Sequence, residues 1–299
     1  MVGSAIVRAL KKAGYQNLLL ASIDEVDLRD APAVKSLFER EKPDYVFAIA
    51  AKVGGIQANR THQAEFIYDN LMIQANIIHN SYLYGVKKLL FLGSSCIYPR
   101  ECPQPMREEY MMTGPLEPTN ESYALAKLAG LRMVKAYREQ YGVNFISAVP
   151  CNLYGPNETF DLQNSHVLSA LVRRFSDALA DEKDELVLWG TGNARREFMY
   201  VDDLAEICLE LMEKYDSPEF INVGTGYDIT IHDLANLIAE KVGFSGHIVW
   251  DPTMPDGMLR KCLDVSKMKA LGIEPRISLE LGVERMIAEY LLRKQSHAV

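Results

Sequence analysis

Short apolar runs alternate with helix-length segments over about the first half of the chain. Each run covers four or five residues, at 18–21, 45–49, 88–92 and 145–149. The stretches between them have the spacing of amphipathic helices, at 2–13, 31–41, 63–84 and 123–141. Continuous apolar strands that alternate with helices are typical of a parallel sheet covered on both faces. We therefore predict an α/β fold with a doubly wound parallel sheet.

The pattern changes beyond residue 150. A short apolar run at 186–189 predicts one strand, and helices are predicted at 165–179, 201–214, 231–242 and 279–292. This region is mixed rather than strictly alternating, so we predict a smaller, mixed α/β lobe. We assign residues 1–153 and 194–224 to the sheet domain and residues 154–193 and 225–299 to the lobe. Ligands of such folds bind in the crevice at the carboxyl ends of the strands.

Composition excludes several classes of function. The chain has 299 residues and a net charge of −8, with no basic tract, so a nucleic-acid partner is not expected. No run of about 18 apolar residues predicts a membrane span, and the N-terminus lacks a signal-peptide pattern. The five cysteines are scattered without paired spacing, and the histidines lack metal-ligand spacing. We expect reduced thiols in a cytoplasmic protein without a metal site.

A hydroxyl, a phenol and an ammonium are spaced so that they could meet. Tyr123 and Lys127 are four residues apart on a predicted helix, and Ser94 follows a predicted strand. A phenol titrates near ~10, and an ammonium one helical turn away favours the phenolate and lowers its pKa. Such a group can supply a proton to a carbonyl while a hydride arrives. The alternative is that Tyr123 and Lys127 are only neighbours on a helix surface.

Only part of a dinucleotide-binding pattern precedes these residues. A site of the Rossmann type begins with a strand, a glycine-rich turn and a helix whose N-terminus faces the pyrophosphate. Gly3 could belong to such a turn, although a glycine that only starts a helix is the simpler alternative. The distance from Gly3 to Ser22 fits a helix, a turn and a second strand. Residues 21–24, Ala-Ser-Ile-Asp, do not distinguish a free ribose 2′-hydroxyl from a 2′-phosphate.

Several motifs together resemble one known family. The motifs are Gly-Ser-Ser-Cys-Ile-Tyr-Pro at 93–99, the Tyr-x-x-x-Lys pair, Asn-Leu-Tyr-Gly-Pro at 152–156 and Arg-Glu-Phe at 196–198. They resemble the extended short-chain dehydrogenase/reductases. Within that family, stretches 51–56, 94–96, 117–120 and 164–167 are similar to the GDP-L-fucose synthases. The resemblance runs from Gly3 to about Arg293, and it implies a Rossmann-type dinucleotide-binding domain with a substrate lobe.

The resemblance implies two reactions on a GDP-4-keto-6-deoxy-mannose. The first is epimerisation at C3 and C5, and the second is reduction of C4 with NADPH. Ser94, Tyr123 and Lys127 would serve the reduction. Cys96 as base and His166 as acid would serve the epimerisation, and these two roles could be reversed. A small buried thiol and a helix-cap histidine are the alternatives.

The resemblance also implies binding residues and a partner. Cofactor contacts are expected at Gly3, Ala50, Lys52, Lys127, Asn152, Leu153 and His166. Substrate contacts are expected at Arg174, Trp189, Arg196, Asp256 and Lys261, where arginine suits a diphosphate. The family further implies a homodimer in which the helices at 63–84 and 123–141 form a four-helix bundle.

The chain departs from the family at its beginning. The first strand and the first two turn glycines are missing, and Ile23 stands where an arginine is usual. We therefore expect the sequence to be a shortened version of a longer protein. NADP(H) is favoured by the resemblance, and NAD(H) is kept as an alternative.

Two alternative functions are carried forward. One is a related nucleotide-sugar epimerase or reductase, such as a GDP-colitose synthase. A dehydratase is disfavoured, since Ser95 and Cys96 stand where dehydratases have Asp-Glu. The other is a nucleotide-binding protein that is inactive because its front end is missing.

Overall fold

The computed structural model describes residues 1–161, 165–254 and 256–296. Asn164, which begins the stretch 164–167 of the family resemblance, lies outside the described residues, as do Pro255 and the last three positions of the predicted lobe.

Helices and strands follow one another along the whole described chain. The helices of five or more residues are α1 (Val2–Lys12), α2 (Ala31–Glu41), α3 (Ile56–Thr61), α4 (Gln63–Leu83), α5 (Glu121–Tyr141), α6 (Val167–Ala180), α7 (Val201–Lys214), α8 (Ile231–Val242), α9 (Ser266–Ala270) and α10 (Leu279–Ser296). The strands are β1 (Tyr45–Ala48), β2 (Lys88–Leu92), β3 (Phe145–Pro150), β4 (Asn152–Tyr154), β5 (Glu185–Trp189), β6 (Arg195–Arg196), β7 (Phe198–Tyr200), β8 (Ile221–Val223), β9 (Ile229–Thr230), β10 (His247–Asp251) and β11 (Arg260–Lys261).

The central sheet is parallel and has the order β1-β2-β3-β8. Every residue of β2 and β3 is buried, as expected for inner strands that are covered by helices. Helices α4 and α5 pack against each other, and α1 packs against α7. The predicted α/β class with a covered parallel sheet is confirmed.

Local signals explain where several helices begin and end. Asp30 caps α2 by accepting a hydrogen bond from the Ala33 amide at 3.1 Å. Thr230 caps α8 in the same way at the Asp233 amide, and Gly243 ends α8 in the left-handed conformation. These capping residues account for the close match between the predicted and observed bounds of α2 and α8.

Among the residues described, buried apolar side chains form two clusters. The first surrounds the central sheet, and the second joins α6, α8 and α10 with Leu188, Phe198 and Tyr200. Smaller sheets lie alongside: β5 with β10, β4 with β7, and β6 between β9 and β11. Leu263 and Met268 belong to the first cluster although their positions fall in the range that we assigned to the lobe. The division into two domains stays a prediction.

One predicted strand is wrong. Residues 18–21 form no strand, and Leu19 and Leu20 are 46% and 58% exposed. Among the described residues, β1 pairs only with β2, and its other edge is unpaired. In the described part of the chain, no strand therefore lies between β1 and the apolar run at 18–21. A strand needs a neighbour for its amide and carbonyl groups, and without one the run stays irregular.

No helix of the described chain combines the length and the apolar character needed to cross a membrane.

Candidate active site

The end of β2 places a serine and a cysteine at the carboxyl edge of the sheet. Gly93 follows β2 directly, and a Cβ there would lie 2.9 Å from Cγ2 of Val149 on β3. Only glycine therefore lets the chain leave the strand so close to its neighbour. Ser94 then caps a short 3₁₀ turn by accepting from the Cys96 amide at 3.4 Å. Ser94 and Cys96 both lie where ligands of open α/β sheets bind.

Helix α5 brings Tyr123 and Lys127 to the same place. Lys127 is buried, and its Nζ donates to the backbone oxygen of Leu92 at 2.9 Å. The Tyr123 phenol lies near the Ser94 hydroxyl, whose interaction with it acts to lower the pKa of the phenol. The hydroxyl, the phenol and the ammonium predicted to meet therefore lie in one cluster.

Burial controls the protonation of this cluster. It raises the pKa of the Tyr123 phenol above its ordinary value; the nearby Cys96 charge acts in the same direction, and the Ser94 hydrogen bond opposes it. Burial also lowers the pKa of Lys127 to about 8. The expectation that Lys127 lowers the pKa of Tyr123 is therefore wrong for this arrangement. The loss of hydration on burial is the largest influence on the pKa of Tyr123, and the Lys127 ammonium donates to the backbone oxygen of Leu92 instead.

Two donors approach the sulfur of Cys96. Asn120 Nδ2 lies 3.2 Å from Sγ, and Lys261 Nζ lies 3.8 Å from it. An amide donor and an ammonium suit a sulfur that carries negative charge. Lys261 was expected at the nucleotide, and Asn120 stood only within the stretch 117–120, so neither contact was predicted.

Backbone hydrogen bonds fix the segment that carries Lys261. The Cys262 amide donates to Gln104 Oε1 at 3.0 Å, and the Cys262 oxygen accepts from the Met106 amide at 2.7 Å. The Asp264 amide donates to the Met106 oxygen at 2.8 Å. Lys261 is thus held against the loop that follows Cys96.

Glu197 holds the same segment from the other side, and the sequence analysis missed its role. It is fully buried and accepts from the Leu263 amide at 2.8 Å and the Gly226 amide at 2.7 Å. Burial raises its pKa to about 7, and these hydrogen bonds oppose the rise. Its backbone oxygen accepts from Asn152 Nδ2 at 2.8 Å. A carboxylate directly before the apolar run 198–200 was the available signal.

Three of the expected substrate residues lie around one turn. Asp256 accepts from the amide and the hydroxyl of Thr191, both at 2.7 Å, and its backbone oxygen accepts from Arg196 at 3.4 Å. Trp189, two residues before Thr191, is 63% exposed. In this structure the Asp256 carboxylate is therefore occupied by Thr191.

The positive charges of Arg174 and Arg196 are only partly balanced by neighbouring groups. Arg174 donates to the backbone oxygen of Val187 at 2.8 Å, and Arg196 donates to the backbone oxygen of Arg195 at 2.8 Å. Burial lowers the pKa of both guanidinium groups. A bound anion would offset this loss of hydration.

The expected cofactor residues near the start of the chain form a looser group. Lys52 Nζ pairs with Asp69 at 2.9 Å and lies 5.9 Å from the ring of Phe66, which packs edge-on against the Tyr123 ring. Gly3 lies in the first turn of α1. The remaining expected contacts lie on or beside strands: Ala50 after β1, and Asn152 and Leu153 in β4.

His166 lies at the start of α6, and its side chain is exposed. Within the described residues, no hydrogen bond joins His166 to Cys96. Its charge acts on the buried carboxyl of Glu158, whose pKa is raised by burial and lowered by His166.

The part of the chain that the structure describes contains no group of three or more histidine, cysteine or acidic side chains placed to hold a metal ion.

Comparison with known proteins gives matches over nearly the whole chain. Residues 1–224 match the family described as NAD dependent epimerase/dehydratase. GDP-L-fucose synthase 1 of Arabidopsis thaliana is 52% identical over 291 residues, which cover 97% of this chain and 90% of that protein. GDP-L-colitose synthase of Yersinia pseudotuberculosis is 35% identical over 298 residues, or 99% of this chain and 96% of that protein. The crystal structure of a GDP-L-fucose synthetase from Naegleria fowleri bound to NADP superposes with a TM-score of 0.90 at 28% identity, covering 99% of this chain and 92% of that one.

Proposed function

Because this chain belongs to the NAD dependent epimerase/dehydratase family, we propose that it converts GDP-4-keto-6-deoxy-D-mannose to GDP-L-fucose. The reaction would consist of epimerisation at C3 and C5, followed by reduction of the C4 ketone with NADPH. The observation that carries the proposal is the cluster of Ser94, Cys96, Tyr123 and Lys127 at one edge of the sheet. The 52% identity to GDP-L-fucose synthase 1 over 97% of the chain supports this substrate.

Lys127 supports the placement of a nicotinamide cofactor in the cluster. A lysine ammonium has three donors, and among the described residues Leu92 is its one hydrogen-bond partner. Its lowered pKa of about 8 shows that the buried charge is poorly compensated. Ribose hydroxyls would supply the acceptors, so the residue fits such a group. Asn152 and Lys52 are the other side chains that we place around the cofactor.

NADPH, when bound, supplies the hydride that reaches C4. The Tyr123 phenol donates the proton that the C4 oxygen requires, and its raised pKa keeps it protonated until the ketone is reduced. Ser94 donates a second hydrogen bond to the same oxygen and fixes its position.

Epimerisation uses the other half of the cluster. The Cys96 thiolate removes a proton from the carbon next to the ketone, so that an S–H bond forms and a C–H bond breaks. The electron pair moves onto the C4 oxygen, where Ser94 and Tyr123 stabilise the enolate. We propose that His166 returns a proton to the opposite face, from the lobe side of the ring.

The nucleotide portion of the substrate would lie along the lobe. Arg174 and Arg196 are proposed to bind the diphosphate, since each is a partly desolvated cation. Trp189 and Asp256 are proposed to contact the nucleoside, which requires Asp256 to exchange Thr191 for a ribose hydroxyl. Lys261 lies between this region and Cys96 and can serve either.

We also propose a cytoplasmic homodimer that forms through α4 and α5. Large apolar side chains are exposed on both helices, among them Tyr68, Leu83 and Tyr141. A four-helix bundle would bury them. Sedimentation of a species near the single-chain mass of 33.7 kDa would contradict the dimer.

The deciding experiment is incubation with GDP-4-keto-6-deoxy-D-mannose and either NADPH or NADH, with the product sugar identified by NMR. GDP-L-fucose formed with NADPH supports the proposal. Faster turnover of a GDP-4-keto-3,6-dideoxy sugar, epimerised only at C5, would favour the colitose-forming alternative to which the Yersinia relative points. Absence of turnover and of calorimetric NADPH binding would overturn the proposal.

Two variants separate the reactions. Tyr123→Phe should lower reduction by about 10²–10⁴-fold while it leaves exchange of the C3 and C5 protons with deuterated water measurable. Cys96→Ser should slow that exchange much more than it slows hydride delivery to a sugar that is already epimerised. Equal losses in both assays would show that the division of roles is wrong.

A further inference from the structure

Helix α5 begins without the capping bond that its sequence offers. Asparagine is among the best N-cap residues because its side-chain oxygen accepts from an amide in the first turn. Asn120 occupies the N-cap of α5, yet its side chain makes no capping hydrogen bond. Asp30 at the start of α2 makes such a bond. The side chain of Asn120 therefore serves something other than the start of the helix.

The side chain of Asn120 is turned towards Cys96. Its Nδ2 donates to Sγ at 3.2 Å, across 24 positions of sequence. Its Oδ1 is buried and, within the described residues, has no hydrogen-bond partner. A buried acceptor without a partner is unfavourable. The fold alone gives no reason for this orientation, and a donor arriving from a ligand would supply one.

Other polar groups face the same sulfur from separate elements. Lys261 Nζ approaches from β11 at 3.8 Å, and the Ser94 hydroxyl lies just before the turn. Tyr123 and Lys127 interact electrostatically with Cys96 from α5. Lys261 and Lys127 supply charge from flexible side chains, whereas Asn120 is a short neutral donor whose position is fixed by the helix. It is the group best placed to fix the direction of a lone pair on sulfur.

We propose that Asn120 is a positioning residue for Cys96, whose amide nitrogen holds the sulfur as a hydrogen-bond acceptor and whose free oxygen accepts a hydroxyl of the bound sugar. The first half rests on geometry alone, and the second half rests on the proposed function. When the thiolate takes a proton from carbon, the new S–H bond replaces the negative charge to which Nδ2 donated. Asn120 itself gains and loses no proton.

The first test measures Cys96 in the protein without ligands. The rate of alkylation by iodoacetamide is followed against pH, with the modified peptide identified by mass spectrometry. Because a hydrogen bond to the charged form favours that form, Asn120→Ser should move the alkylation midpoint of Cys96 upward by about one pH unit. Serine is as good an N-cap as asparagine but is too short to reach the sulfur, so the fold is kept.

Asp30→Ala is the matched control, since it removes a capping bond remote from the sulfur. It should lower the melting temperature and leave the alkylation midpoint in place. Asn120→Ala should behave in the opposite way. Its melting temperature should change little, and its alkylation midpoint at Cys96 should move upward as in Asn120→Ser. An unchanged midpoint in both Asn120 variants would overturn the proposal. A lowered melting temperature in Asn120→Ala, with no shift, would identify the residue as an ordinary cap.

The second test separates this inference from the proposed function. Wash-in of deuterium at C3 and C5 of the 4-keto sugar should fall about 10–100-fold in Asn120→Ser, with a raised KM because a hydroxyl contact is lost. Wild-type protein that exchanges no proton would refute the proposed function and leave the alkylation result standing. Wild-type exchange that is matched by the variant would refute the role of Asn120 instead.

Discussion

Strand β2 is buried along its whole length, whereas Leu19 and Leu20 of the exposed flank, which we define as residues 15–25, face solvent. Leu89 and Leu90 of β2 have no exposed surface, while Leu19 and Leu20 are about half exposed. The difference lies in their neighbours. Strand β2 pairs with β1 on one side and β3 on the other, and the flank pairs with no strand among the described residues. Hydrophobicity alone therefore does not make a strand; partners for the backbone are also required.

The same contrast explains where the candidate site lies. Ser94 and Cys96 leave β2, and Lys127 donates to the last residue of that strand. Reacting groups must be held within a fraction of an ångström, so they belong on the best-supported part of the sheet. Gly3 in the first turn of α1 and Ala50 after β1 have no comparable network in the described structure.

The largest expected effect comes from breaking the buried side. Leu90→Ala removes a fully buried side chain at the centre of β2 and should lower the free energy of unfolding by about 2–5 kcal/mol. Urea denaturation followed by circular dichroism measures the loss. A loss below about 1 kcal/mol would show that β2 is not the tightly packed strand described above.

The second effect concerns pH and the buried carboxyl of Glu197. Its folded-state pKa of about 7 lies above the ordinary value of 4.5, so between these values the folded chain binds more protons than the unfolded chain. Stability is therefore greatest below the unfolded pKa and falls as pH rises towards 7, by on the order of 3 kcal/mol for this group.

Glu197→Gln removes this titration, although its side-chain amide would then face the Leu263 N–H, from which the carboxylate now accepts a hydrogen bond. The melting temperature of wild type should fall between pH 5 and pH 7 more steeply than that of the variant. Parallel pH profiles would show that Glu197 does not titrate in this range. An exposed carboxyl that is changed in the same way, Glu219→Gln, controls for the general effect of charge.

Two helical glycines sharpen the comparison. At Gly130 on α5 a Cβ would lie 2.3 Å from the Phe91 ring, whereas at Gly3 on α1 the nearest atom, on Ile49, would be 3.4 Å away. Gly130→Ala should therefore cost about 1–3 kcal/mol through overpacking, and Gly3→Ala should gain up to about 1 kcal/mol of helix stability. If Gly3 faces a pyrophosphate as the family resemblance implies, calorimetry should show weaker NADPH binding in Gly3→Ala. Equal affinity would remove Gly3 from the cofactor site.

Long elements were predictable because they carry their own signals. The periodicity of α2, α7 and α8, the caps of α2 and α8, and the continuous apolar run of β2 predicted bounds that match the structure. Strands of two or three residues, such as β6, β9 and β11, were missed, since so few positions show no period. The run at 18–21 was mispredicted because its outcome depends on a neighbouring strand rather than on its own residues.

The candidate site divides in a similar way. Tyr123 and Lys127 were predictable because one helix sets their spacing. The contacts of Cys96 with Asn120 and Lys261 join residues 24 and 165 positions apart, and no local pattern encodes them. The pKa direction of Tyr123 was also missed, because burial is a property of the assembled fold. Functional groups are thus visible in sequence, whereas the groups that tune them become visible only in structure.

The smallest effect is expected at Leu20 in the exposed flank. Its side chain is 58% exposed, so Leu20→Ser removes little buried apolar area and should change the free energy of unfolding by no more than about 0.5 kcal/mol. The matched variant Leu90→Ser, in the same urea assay, should lose several times as much. A loss above about 1 kcal/mol at Leu20 would mean that the flank is packed against a partner in solution. Residues 18–21 would then be buried, as their apolar composition predicts. They would differ from β2 only in which residues cover them.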